Sequence, residues 1–136
     1  MASGGFSIRL DAERAGCHPY YVLGLVNSKA LFWYLRQISN RFRGGWITCT
    51  KQYFGQLPIR VPAVNVAAEQ AAHDALVDLV RRRIALSAER TLSLSPDACA
   101  RCDRDLAAIE RRIETAVCEI YGLSQADMSL IGGAAT

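Results

Sequence analysis

Between Gly16 and Ala68 this 136-residue chain has no aspartate and no glutamate. It also lacks an apolar run of membrane-spanning length; the best stretch, Tyr20–Val26, is broken by Asn27-Ser28-Lys29, which excludes a helical span. Met1 to Gly5 is too short and too weakly apolar for a secretory signal, so the expectation is a cytoplasmic protein. Its five cysteines (Cys17, Cys49, Cys99, Cys102 and Cys118) are odd in number and are expected as free thiols. Histidine is scarce: His18 and His73 have no Ser, Cys or carboxylate at a recognisable catalytic spacing, although Cys17 adjoins His18. Cysteine–histidine nucleophile pairs form in space and not by adjacency, so this contiguity says little.

What is present is ordinary for a globular chain, 51% hydrophobic and 21% charged, with enough length for one domain and a modest core. The net charge of +3 conceals an asymmetry. Lys29, Arg36, Arg41, Arg43, Lys51 and Arg60 all fall in the acid-free stretch, and the remainder is slightly acidic, with ten basic against thirteen acidic residues. A block of cations without counter-charge favours a polyanionic partner, nucleic acid being the commonest.

The periodicities predict an α+β fold, mostly helical: a buried helix, a small strand element carrying a basic loop, and a C-terminal antiparallel helical hairpin. Gly5–Leu10 alternates as an edge strand would, and Asp11–His18 reads as a loop. From Tyr20 to about Ile38 apolar residues fill most of a helix circumference, the mark of a buried helix opened by Pro19. Trp46–Thr50, rich in aromatic and β-branched residues, is a short strand, and Lys51–Gln56 a helical turn ended by Leu57-Pro58. In the second half one helix runs from about Ala67 to Arg90. Ser95-Pro96 then starts another, whose Cys99, Cys102, Leu106, Ile109, Ile113, Ala116 and Ile120 make a heptad seam. Gly122 is placed to end it, Ser124–Asp127 to cap a last short helix through Ile131, and the residues from Gly132 on to fray. The expected division is residues 1–62, a recognition segment with the basic loop, and 63–136, the hairpin and short final helix.

Several residues carry two readings. Arg41-Phe42-Arg43-Gly44-Gly45-Trp46 is a basic loop tip beside a strand, or a contact surface. Arginine makes bidentate contacts to phosphate or guanine, and glycine lets backbone approach a sugar-phosphate strand. Trp46 or Tyr53 could stack on an exposed base or simply pack. Cys99-Ala-Arg-Cys102 invites zinc, but no second ligand pair has matching spacing and both cysteines fall on the seam. Arg81-Arg82-Arg83 points three ways round a helix, as a solvated face paired with Asp78 or as a phosphate contact.

Four ordered segments carry a resemblance. Leu25-Val26-Asn27-Ser28-Lys29, Arg41-Phe42-Arg43-Gly44-Gly45-Trp46, Thr50-Lys51-Gln52-Tyr53 and Gln56-Leu57-Pro58-Ile59 resemble the C-terminal specificity domain of TaqI-like adenine-N6 DNA methyltransferases and fused restriction–modification enzymes. Glu119-Ile120-Tyr121-Gly122-Leu123 followed by Ser124 is similar to that family's closing helix and turn, so the likeness runs from about Phe6 to Ile131. Trp46 stands where the family often has tyrosine, and Cys49 where a larger aromatic is common.

The resemblance implies a domain that clamps double-stranded DNA, with Arg41, Arg43, Gly44, Gly45, Trp46, Lys51, Gln52 and Lys29 as candidate DNA-facing positions and no cofactor of its own. It also implies that this chain begins inside the family domain, without that domain's N-terminal half. Asn27 and Ser28 are expected mid-helix, satisfying neighbouring backbone groups. The family's catalytic domain holds an extruded adenine with an Asn/Asp-Pro-Pro-aromatic motif. Pro19, Pro58, Pro62 and Pro96 are all isolated, and no glycine-rich strand-to-helix turn is present. The chain is therefore expected not to be an enzyme; methylation would fall to a separate methyltransferase subunit using S-adenosylmethionine. Two rival readings stand beside this one: a helical interaction module that pairs through Leu106, Ile109 and Ile113 with a partner or as an oligomer, and a gene remnant without activity.

Overall fold

A computed structural model describes residues 7–133, and the described residues are all-helical. In order come α1 (Ala12–Ala15), α2 (Pro19–Val26), α3 (Lys29–Ile38), α4 (Lys51–Phe54), α5 (Ala67–Leu92), α6 (Pro96–Ile120) and α7 (Gln125–Gly133). This overturns the α+β expectation. Of the anticipated edge strand, Gly5 and Phe6 lie outside the described residues, and Ser7–Leu10 have no regular structure. Trp46–Thr50 contributes a single antiparallel bridge, Arg41 to Ile47. The local β preference there is real, but a two-stranded ribbon with no third strand is marginal, and one rung is all that survives.

The long helices form where the signals are local. Ser95 accepts the Ala98 amide and Pro96 occupies the first turn of α6. Tyr121 closes that helix, and Gly122 follows at φ 64, a left-handed conformation suited to glycine. Ser124 and Asp127 exchange bonds as a capping box: the Ser124 amide donates to the Asp127 carboxylate at 2.8 Å, and the Asp127 amide to Ser124 Oγ at 3.2 Å. That carboxyl is held below its usual range by the Ser124 hydroxyl and amide. The helix it starts reaches Gly133, past the expected fraying point.

Two local expectations are corrected. Asp11 caps a one-turn helix within the anticipated loop, with Gly16 left-handed behind it. The single helix expected over Tyr20–Ile38 is two. Ser28, buried, donates through its hydroxyl to the Leu25 carbonyl at 2.6 Å and accepts the Leu31 amide at 3.2 Å, ending α2 and capping α3. A serine hydroxyl that can satisfy backbone groups competes with helix continuation, and here it prevails. Asn27 assists by donating to the Leu23 carbonyl at 2.9 Å. Ser28→Ala is expected to cost about 1–2 kcal/mol in urea-induced unfolding, the range for a lost cap.

α5 and α6 pack side by side as the antiparallel hairpin, and α2 lies across α5. The core joins Cys17, Tyr21, Leu25, Leu31 and Leu35 with Leu57 and with Leu76, Val77, Val80 and Val117 of the hairpin, so the segments 1–62 and 63–136 share it. Gly24 lets α2 approach closely, since a Cβ there would stand 2.9 Å from Val80 and 3.1 Å from Leu76. This shared cluster draws on Leu76, Val77 and Val80 of α5 and Val117 of α6, while Cys102 and Ile109 are buried farther along the hairpin. The remaining roughly 18 Å of α5 runs beside α6, with cross-helix contacts that include Arg83–Glu110 at 2.8 Å and Arg90–Asp103 at 2.7 Å.

The linker between α4 and α5 is strapped down by polar contacts. Tyr21 donates to the Arg60 carbonyl at 2.6 Å and Tyr121 to the Pro58 carbonyl at 2.5 Å. The Arg60 guanidinium reaches the Ile120 carbonyl at 2.7 Å and Glu69 at 3.1 Å. Burial, helped by the Tyr121, Cys17 and Glu69 charges, pushes the Tyr21 hydroxyl up to about 12, so it stays a donor. The Ala63 amide, then Arg60, hold the Glu69 carboxyl below its ordinary value.

Candidate nucleic-acid interface

The basic tip is built by glycine geometry. Phe42 N–H donates to the Trp46 carbonyl at 2.8 Å, Gly45 N–H to the Phe42 carbonyl at 3.3 Å, and Thr48 N–H to the Asn40 carbonyl at 3.3 Å. Gly44 and Gly45 take φ of 88 and 79, values that strain any residue with a Cβ. Behind the tip, Ile47, Tyr53, Phe54 and Leu57 pack against the core and anchor the loop at its return. Ser39 Oγ and Thr48 Oγ1 are buried at the base of the tip.

Arg41, Arg43, Gly44, Gly45, Trp46, Lys51 and Gln52 follow one another along the tip and its return, and all seven are exposed, with the half-buried Ile47 and Thr48 between them. Among the described residues, no ion pair involves Arg41, Arg43 or Lys51. The acid-free sequence around them offers no near partner, and among the described residues no carboxylate pairs with them from a distance. Trp46 is 75% exposed, and its indole edge lies over Gly44, where a Cβ would stand 3.3 Å from Cδ1. Tyr53, the other residue with a stacking reading, is partly buried against the core. Phe42, 62% exposed between the two arginines, belongs to the same surface; its position inside the Arg-Phe-Arg motif was the signal for it. Gln52 uses its carbonyl to accept from Gln56 Nε2 at 3.0 Å and leaves its side chain outside.

Lys29 is not part of this cluster. It lines a groove of about 990 Å³ between α2, α5 and α6 with Arg83, Arg111, Glu110 and Glu114, and no tip residue borders that groove. The Lys29 amide donates to both Glu114 carboxylate oxygens, at 3.1 and 3.2 Å, so α6 helps to cap α3. Burial raises the Glu114 carboxyl, against the lowering effect of the Lys29 amide and charge. The folded state therefore binds this proton more tightly than the unfolded chain. Its contribution to stability falls as pH rises from the ordinary value of 4.5 through the raised folded value, and is flat above it. The difference in unfolding free energy between wild type and Glu114→Gln, followed by urea titration across that window, is expected to move against wild type as pH increases.

Arg60 is engaged by Glu69 and the Ile120 carbonyl. Arg81 pairs with Asp78 at 3.0 Å and lies over the Tyr20 ring, while Arg83 pairs with Glu110. The histidines do structural work. His18 Nδ1 accepts the Tyr20 amide, and His73 Nε2 accepts the His18 amide, both at 3.0 Å. With its Nδ1 on Asp74 at 2.9 Å, His73 has no lone pair left to activate a nucleophile. Among the described residues no three His, Cys, Asp or Glu side chains come together as a metal site, and no helix is long and apolar enough to cross a membrane.

No family's sequence model matches the chain, and no curated protein or solved structure matches it either.

Proposed function

We propose that the chain recognises double-stranded DNA as the specificity part of a site-specific adenine-N6 DNA methyltransferase or restriction–modification system, with methyl transfer carried out by a separate subunit that uses S-adenosylmethionine. The observation that carries this reading is the presence of Arg41, Arg43 and Lys51 on one exposed, glycine-turned segment with no carboxylate of the described chain paired to them. Leaving cations uncompensated favours solubility little, but it suits a surface that must displace counterions from phosphate. The two arginines and Lys51 would grip phosphates or guanine edges, and Trp46 and Gln52 would shape or read the groove.

Duplex binding measured against salt concentration tests it. The Arg41→Ala/Arg43→Ala pair is expected to flatten the slope of log K against log salt by about two charges. An unchanged slope removes those arginines from the interface and with them this reading. Salt-insensitive self-association through Leu106, Ile109 and Ile113, without DNA binding, would favour the interaction-module alternative.

A further inference from the structure

The DNA reading leaves Cys99 and Cys102 unused, yet their surroundings differ from those of the other thiols. Cys17 and Cys118 are buried, with their thiols pushed up by burial. Cys49 is exposed. Cys99 is half-buried in the opening turns of α6, its amide donating to the Ser95 carbonyl at 2.9 Å. The Arg90 guanidinium, reaching across from the end of α5, donates to its sulfur at 3.2 Å, and the thiol lies 3.5 Å from the Ser93 carbonyl. Arg90 also pairs with Asp103 at 2.7 Å, in the open. One turn on along the same face, Cys102 is buried.

A partly accessible sulfur under a guanidinium near a helix N-terminus, with a second, shielded sulfur three residues on, is an arrangement for thiol–disulfide exchange. Residues at i and i+3 of a helix hold their Cβ atoms about 5–6 Å apart, against about 3.5–4.5 Å in a disulfide. Bond formation therefore needs only a slight tightening of the opening turns of α6.

We propose that Cys99 and Cys102 form a reversible dithiol–disulfide pair, with Cys99 attacking, Cys102 resolving, and a low-molecular-weight disulfide as the oxidant. Cys99 sulfur attacks one sulfur of the small disulfide, whose S–S bond breaks and releases one thiolate. Cys102 sulfur then attacks Cys99 sulfur, forming the internal bond and releasing the second thiolate. The two protons lost by the cysteines go to the two small thiols, and the two electrons with them. Closing the bond draws Cys99 away from Arg90 and the Ser93 carbonyl, so oxidation loosens the end of the hairpin farthest from the core.

The test exposes the full chain to oxidised glutathione and follows it by intact mass and differential alkylation. In the Cys49→Ser background the expected product has lost two hydrogens, maps to Cys99–Cys102, and reverts with excess reduced glutathione. Cys102→Ser in that background is expected to stop at one glutathione on Cys99. Arg90→Gln should slow Cys99 about tenfold, the worth of one charge-assisted hydrogen bond. Asp103→Asn, which removes the same ion pair from its other side, should change the rate by less than about twofold, as for an exposed pair. Glutathione accumulating on both cysteines without an internal bond, or Cys99 reacting no faster than Cys49 in the wild type, would overturn the proposal. The Cys102→Ser arm does not depend on how well the Arg90 variant folds. DNA binding plays no part in this readout, so the two readings fail separately.

Discussion

Leu76→Ala is expected to lower the unfolding free energy by about 3–5 kcal/mol, the upper part of the range for a truncated core leucine. Leu76 is fully buried at the place where α2, held close by Gly24, crosses α5. It belongs to the cluster that joins Tyr21 and Leu25 to Val80 and Val117, so the cavity would open between segments with little freedom to collapse. A domain of this size has roughly 5–15 kcal/mol in all, and the variant should therefore unfold at markedly lower urea, by circular dichroism. Ile84→Ala is the internal control. Ile84 lies about two turns beyond Leu76 along α5, toward the hairpin end, and is exposed; its truncation should cost under about 1 kcal/mol. Equal losses at the two positions would mean that the hairpin is supported along its whole length.

The second large effect concerns binding. Neutralising Arg41, Arg43 and Lys51 together is expected to weaken duplex affinity at low salt by on the order of a hundredfold or more, counting about 1–1.5 kcal/mol for each charged contact. The salt slope should fall by about three charges, one step beyond the double variant. Because the three side chains are exposed and make no ion pair among the described residues, the thermal midpoint should stay put. That combination separates an interface from a structural role. Lys29→Ala is expected to leave the slope where it is, since Lys29 borders the groove with Glu110 and Glu114; a loss of one charge from the slope would extend the surface to that groove.

How much of this was legible in the sequence depended on how local the deciding interaction is. Ser95-Pro96, Gly122 and the Ser124–Asp127 box announce their boundaries because each acts within a few residues. The break at Ser28 was hidden, although Ser28 is a good cap, because apolar residues continue on both sides and nothing local decides between a cap and a helix interior. Trp46–Thr50 looks like a strand from its residues, but a strand needs a neighbour, and only Arg41–Ile47 bridges. At the candidate site the uncompensated charge of Arg41, Arg43 and Lys51 could be read directly. The capping of α3 at the Lys29 amide by Glu114, 85 residues away, and the binding of Arg60 to Glu69 and the Ile120 carbonyl could not, because both depend on how α5 and α6 pack against the N-terminal segments.

The tip from Phe42 to Trp46 places no side chain in the core cluster and is held at its neck by backbone hydrogen bonds and one bridge. Such a segment is a replaceable cartridge. Provided the two glycines keep their handedness, its other residues are free to drift or be grafted without touching the scaffold, and under the proposed DNA reading a new preference need carry no penalty in folding.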